Sequence, residues 1–311
     1  MKKVVLSLLI SLLAFTVEAQ EVSDVTERAY DLYESLQKQK ARAALKKFND
    51  SSRKQWSLNP KKKRGISIAK VKDFVLVDSL MAGVLDKRFA YEKMGYIFQQ
   101  FGKEDYYICF YGEPHPLDPW GFSIEGPYVS MNFTIVEKHF SFTPFLIGAN
   151  PSFIPREGKK PLDIMSTQDG IPADLMTMFD KAQLEKVMVS EKAPSKMKYG
   201  LMKKLAFDQE GMSFQEFEGE NQTTFMSMAT SVYFYCVQKH LNREIYARFG
   251  KYKSSQLKMA WEGPIESDQV HGYRITTPTI LMEYINLEAN KNNAYCVLRE
   301  IGYDFGEGYL K

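Results

Sequence analysis

WEGPIESDQVHGYRITTPTILMEYINLEANKNNAYCVLREIGYDFGEG, residues 261–308, is the stretch on which the fold turns. Its aromatic and β-branched runs, broken by Gly-Pro, Thr-Pro and Asn-rich punctuation, predict strands at 257–262, 271–276, 279–285 and 293–299. Pro278 has no N–H to give to a ladder, so it belongs at an edge, a bulge or a turn between two of them. A second set of the same character lies upstream. DYYICFYG (105–112) reads as one strand, and PWGFSIEGPYVSMNFTI (119–135) leads into strands at 128–136 and 139–146, with Glu137-Lys138 as a tight hairpin.

Between and before these sets the hydrophobic period is helical. Val25, Ala29, Leu32 and Leu36 recur at four, three and four, continued by Ala41, Ala44, Leu45 and Phe48, which predicts an amphipathic helix over 21–48. Further helices are expected at 70–85, at 87–102 with Gly102 as the stop, and at 172–189. Phe225, Ala229, Val232, Cys236 and His240 share one helical face and predict a long helix over 221–249. The proline- and glycine-spaced stretch 148–171 reads as an ordered crossing loop, and 190–220 as a connection. Helical and strand blocks are segregated, which points to an α+β fold: a helical N-terminal part packed on a largely antiparallel sheet, with a long helix before the C-terminal strand set.

Lys2 and Lys3, the apolar run Val4 to Val17 and the small residue Ala19 read as an export signal over 1–19, leaving 20–311 as one domain. Within it the expected parts are helical at 21–102, sheet at 103–147 and 257–300, and a helical insertion at 172–250. The apolar run is shorter than the roughly 18 to 20 residues a spanning helix needs, so the expectation is an exported protein, periplasmic or secreted, without a membrane span. A net charge of +3 is nearly neutral and does not suggest nucleic acid as a partner. The basic run Lys61 to Arg64 reads as a solvated loop. Cys109, Cys236 and Cys296 allow at most one internal disulfide, Cys109 with Cys296 being a conceivable pair. Cys236 and His240, four apart, are two ligands and not a metal site.

The block at 119–135 and the block at 261–308 resemble the signature blocks of the bacterial "domain of unknown function 3500" family, whose members are exported. Trp120, Gly121, Glu125, Gly126, Ser130, Asn132 and Phe133 match the first block; Tyr273, Arg274, Ile275, Pro278, Glu283, Tyr284, Asn292, Arg299, Asp304, Phe305 and Gly306 match the last. Arg53, Trp56, Pro60, Arg64 and Gly65 resemble an early pattern of the same family. The resemblance implies paired histidines after Glu125-Gly126 and a His-x-His near the end, an array that alternating strand residues would aim at one transition metal. This chain instead has Pro127 and Tyr128 at the first pair, Asn293 and Tyr295 at the second, and Glu300 where the family has aspartate. A family-like metal centre is therefore not expected, and no cofactor is implied.

What remains is a polar set: Glu125, Asn132, Arg274, Glu283, Asn292, Arg299 and Asp304. Two readings stand. In the first, preferred one, a binding or accessory protein that has lost its histidine centre uses Trp120, Tyr128, Arg274, Tyr295 and Arg299 to line a cleft for a small molecule or glycan-like ligand, the aromatics stacking and the guanidinium groups clamping a carboxylate or phosphate. In the second, a metal-independent hydrolase uses Glu283 and Asp304, with Asn132 as an orienting donor. For any one residue alone, internal pairing such as Arg299 with Glu283 or Asp304 is the simpler explanation.

Overall fold

The computed structural model describes residues 22–57, 64–266, 269–289 and 293–310. The leader read at 1–19, Pro60, residues 61–63 of the basic run and Asn292 lie outside these residues. Helix α1 (22–38) buries Val25, Ala29, Leu32 and Leu36, the stripe read from the sequence. It ends at 38 and not at 48. Lys40 takes a left-handed φ of 60°. The amides of Ala41 and Lys40 then bond the carbonyls of Leu36 and Gln37, both at 2.9 Å, the paired closure that terminates a helix. That role commonly falls to glycine, so a lysine there left no stop signal. Helices α2 (Phe74–Val84) and α3 (Glu92–Phe101) follow where the period placed them, and Gly102 caps α3 at φ 76°.

The strands are β1 (Leu45–Lys46), β2 (Ile66–Ser67), β3 (Tyr107–Tyr111), β4 (Trp120–Gly126), β5 (Val129–Val136), β6 (His139–Ser141) and β7 (Phe145–Ala149) in the first half. In the second half come β10 (Met188–Ser190), β11 (Met212–Ser213), β12 (Lys258–Glu262), β13 (His271–Thr276), β14 (Ile280–Asn286) and β15 (Ala294–Glu300). They form one thirteen-stranded sheet along the path β1-β3-β4-β5-β7-β15-β14-β13-β12-β10, with β2 on β3, β6 on β5 and β11 on β12. Only β1 with β3 and β10 with β12 run parallel among the pairs. The α+β reading holds, and the hairpin at Glu137-Lys138 joins β5 to β6 as expected. Pro278 sits in the β13–β14 turn, where Thr277 Oγ1 accepts from the Ile280 amide at 2.8 Å.

Two strand sets far apart in sequence meet at one seam, β7 against β15, with Tyr295 opposite Gly148 and Val297 opposite Leu146. One face of the sheet is dry. Phe122, Phe133, Phe145, Ile147, Leu298 and Met282 lie on it and belong to the main core together with the buried residues of α1, α2 and α3. Each Å2 of apolar surface this face removes from water favours folding by about 25 cal/mol.

The stretch 148–171 is not a loop. It holds the hairpin β8 (Phe153–Arg156) and β9 (Lys159–Asp163) and the first turns of helix α4 (Ser166–Thr177). Gly170 and Pro172 hid this helix from the sequence reading. Pro172 lacks an N–H, so the Gln168 carbonyl four residues earlier has no helical donor. The Tyr273 hydroxyl from β13 donates to it instead, at 2.8 Å, and fastens α4 to the sheet. Helix α5 (Lys181–Val187) then opens with a capping box between Asp180 and Gln183.

The long helix expected before the last strands is also corrected. Helix α6 (Glu220–Val232) stops, a short turn Phe234–Cys236 follows, and helix α7 (Arg243–Phe249) begins afresh. The break is tertiary in origin. Val237 forms a bridge with Leu85, and the Gln238 amide bonds the Val84 carbonyl at 2.9 Å, so the backbone is taken up by the end of α2. No described helix is long and apolar enough to cross a membrane. All three cysteines are buried and outside any disulfide, and the register puts Cys109 and Cys296 on opposite faces of the sheet.

The link between Tyr273 and Gln168 is testable by a double-mutant cycle. Tyr273→Phe should destabilise by about 1–2 kcal/mol in urea unfolding because a buried carbonyl loses its donor. In a Pro172→Ala background, which restores a backbone N–H to that carbonyl, the same change should cost clearly less. Equal costs in both backgrounds would contradict the link.

Candidate functional site

Residues directly opposite one another in an antiparallel pair share a face, so the register sorts the candidates. One row across the sheet runs Glu125, Ser130, Leu146, Val297, Glu283, Arg274. Asn132, Tyr295 and Arg299, two positions along their strands, fall on the same face. The sheet therefore brings Glu125, Asn132, Arg274, Glu283, Tyr295 and Arg299 together. Trp120 is separated from them. It lies on the dry face, wholly buried, stacked on Phe122 at 6.2 Å, and Trp261 is likewise buried there against His271 at 4.6 Å.

Three irregular segments roof the polar face, and the retained polar residues tie them down. The Glu283 carboxylate accepts from three successive amides, Lys198 at 2.6 Å, Tyr199 at 3.1 Å and Gly200 at 2.6 Å. Burial raises its pKa, and the three N–H groups pull the other way. A carboxylate offers about four lone-pair positions, and three are occupied here. Gly200 is required by proximity: a Cβ there would lie 2.8 Å from Val297 Cγ1 and 3.0 Å from the same carboxylate. Arg299 donates from Nε to Asp304 at 2.7 Å and from Nη1 to the Gly200 and Met202 carbonyls at 2.8 Å each, while its guanidinium stacks 4.7 Å from the Trp56 ring. Asp304 also accepts the Glu300 amide at 2.9 Å, and burial raises its pKa against the pull of Arg299.

Arg274 pairs with Glu262 at 2.9 Å and Glu210 at 3.1 Å. Arg64 meets Glu125 in a buried ion pair, Nε to Oε2 at 2.8 Å, and Arg53 donates to the Phe305 carbonyl at 2.7 Å. Asn132 donates to the Pro144 carbonyl at 3.1 Å. Its Oδ1, the Ser130 hydroxyl and the Trp56 indole nitrogen are buried without a hydrogen-bond partner among the described residues.

Two of the four positions expected to hold histidine, Tyr128 and Tyr295, meet at the seam. Tyr128, at φ 61° in the β4–β5 turn, stacks on Tyr295 at 5.0 Å and 12°. Phe101 covers it from α3 at 5.3 Å, and its hydroxyl accepts from Asn150 at 2.6 Å. Gly148 makes the stack possible, since a Cβ there would come within 2.8 Å of Tyr295 and 3.3 Å of Tyr128. The two tyrosine faces are turned toward each other and not toward a void. Among the described residues no three His, Cys, Asp or Glu side chains are grouped to hold a metal ion.

A recess of about 360 Å3 opens beside this layer, lined by Lys54, Lys203, Lys204, Arg299, Asp304 and Glu307. Lys54 is paired with Glu307 at 2.5 Å. Lys203 and Lys204 are exposed on its rim and meet no carboxylate among the described residues.

A model of the family described as protein of unknown function (DUF3500) matches residues 18–307, most of the chain. The chain belongs to that family. No curated protein and no solved structure matches it. This DUF3500 chain carries a further buried polar group on the dry face, which the sequence reading missed. His271 lies 3.1 Å from Asp169, the Tyr284 hydroxyl donates to Asp169 at 2.9 Å, and the Lys93 ammonium donates to Gln168 at 2.6 Å. Its members come from α3, α4 and the last strands. No spacing rule joins them, and only the hidden start of α4 would have brought them to notice.

The roof tie makes a definite expectation. Glu283→Ala should leave three amides without an acceptor, lower stability by about 2–3 kcal/mol, and speed hydrogen exchange at 198–202 more than in β14 itself. Unchanged exchange in that segment would show that Glu283 does not hold it.

Proposed function

We propose that this protein is an exported binding or accessory protein that has lost a histidine-based centre, and that its ligand is a small anion such as a carboxylated sugar held in the recess beside Arg299. The observation that carries this reading is the division of labour among charges. Glu283 and Asp304, the carboxylates a hydrolase would need, are engaged in internal bonds, whereas Lys203 and Lys204 face an open recess without partners among the described residues. A general base must reach the proton it removes, and three backbone donors around Glu283 oppose that role. Arg299 closes one wall of the recess and gives the pair of lysines a fixed cationic neighbour. Pro127, Tyr128, Asn293 and Tyr295 at the expected histidine positions support the loss of a metal centre. The Lys2-Lys3 start, the apolar run to Val17 and Ala19 support export.

The test is calorimetric titration of the mature protein with glucuronate and its oligomers. Wild type should bind, more weakly as salt rises, and Lys203→Ala/Lys204→Ala should lose about tenfold or more in affinity with unchanged thermal stability, as removal of two charge-assisted contacts implies. Equal binding by the double variant, absence of binding by any uronate, or turnover of a glycoside that depends on Glu283 would overturn the proposal.

A further inference from the structure

On the helical side of the sheet, away from the basic recess, a cavity of about 470 Å3 lies between α3, β9 and the start of α4. Its walls include Arg88, Glu92, Lys93, Tyr96, Asp163 and Thr167. Lys93 differs from the other charged lining residues in being buried, with 8% of its surface exposed. Among the described residues its hydrogen bond runs to a neutral acceptor, the Gln168 side chain at 2.6 Å, and no carboxylate lies within ion-pair distance. Lysine is almost never buried unless paired, so this placement is costly for a residue with only a structural role.

We propose that Lys93 is an amine nucleophile that captures a small hydroxylated aldehyde or ketone, a class that includes open-chain sugars, as an imine in this cavity. The Lys93 nitrogen lone pair attacks the carbonyl carbon and forms a C–N bond. The C–O bond breaks, and the oxygen leaves as water with the two hydrogens of the neutral amine, so no oxidant or reductant is needed. Tyr96, Ser166 and Thr167 line the same space with hydroxyl groups suited to a polyhydroxylated chain, and Glu92 and Asp163 add acceptors.

The reaction needs a neutral amine, and the surroundings provide one. Burial lowers the Lys93 pKa to about 8, opposed by the weaker pull of Cys296, Cys236 and Asp163. Those groups face it from β15, from the Phe234–Cys236 turn and from β9, while Arg88 and Glu92 stand on its own segment. An unperturbed lysine near 10.4 is almost wholly protonated where Lys93 is half neutral.

The test is reductive trapping. Intact mature protein is incubated with glyceraldehyde and cyanoborohydride at pH 8, and modified lysines are mapped by peptide mass spectrometry over time. Lys93 should be alkylated about tenfold or more faster than exposed lysines such as Lys181, as its larger neutral fraction implies, and Lys93→Arg should abolish that fast event alone. Thr167→Trp, which fills the cavity and keeps the amine, should slow labelling at Lys93 and leave Lys181 unchanged. Labelling of Lys93 no faster than Lys181 in wild type would overturn the proposal. Full labelling in a folded Thr167→Trp protein would equally overturn the assignment to this cavity. Neither result bears on Lys203 and Lys204, so failure here is distinct from failure of the uronate reading.

Discussion

The pairing of β7 with β15 is the constraint on which the remaining structure depends. Before it forms, β3 to β7 and β12 to β15 are two separate strand sets, each with an open edge; after it forms, they are one sheet with two continuous faces. Closing so long a loop between contacts is entropically unfavourable. The return comes from both sides of the seam at once: ladder hydrogen bonds along five residue pairs, a shared apolar core behind, and the Tyr128–Tyr295 stack in front. Gly148 is the point where sequence meets this requirement, because any side chain there enters the space of both rings.

The two faces solve opposite problems. The dry face rests mainly on complementary shape, which Phe, Ile, Met and Trp side chains supply around the polar group of His271 and Asp169. The polar face must hold segments that have no helix or strand to satisfy their backbone, and every buried N–H and C=O needs a partner. Glu283 accepts from the amides of 198–200, and Arg299 donates to the carbonyls of 200 and 202. Buried ion pairs such as Arg64 with Glu125 give little net stability over an apolar equivalent. What they do here is fix which loop lies over which strand.

The strands at 105–112, 128–136 and the last four runs were legible because alternate burial on a sheet demands β-branched and aromatic residues, whereas β4 and the β8–β9 hairpin were not read as strands. Helices α2 and α3 were legible for the corresponding reason. What the sequence hid depends on partners far along the chain. Lys40 ends α1 without a glycine, α4 runs through Pro172 because Tyr273 rescues the orphaned carbonyl, and the helix expected to 249 breaks where Leu85 claims Val237. Of the candidate site, Glu283, Arg299, Arg274 and Tyr295 come to one face through the register of β13, β14 and β15, which strand spacing alone does not give. It could not assign Trp120, since alternation tells which residues share a face within a strand but not which face of the sheet they meet.

Hydrogen exchange of Gly148→Val tests the seam most directly. If the β7–β15 pairing unites the sheet, protection should fall together in β4 and β5 on one side and in β14 and β15 on the other, as a single cooperative unit. Loss of protection confined to 145–149, with both flanking strand sets still protected as in wild type, would contradict it.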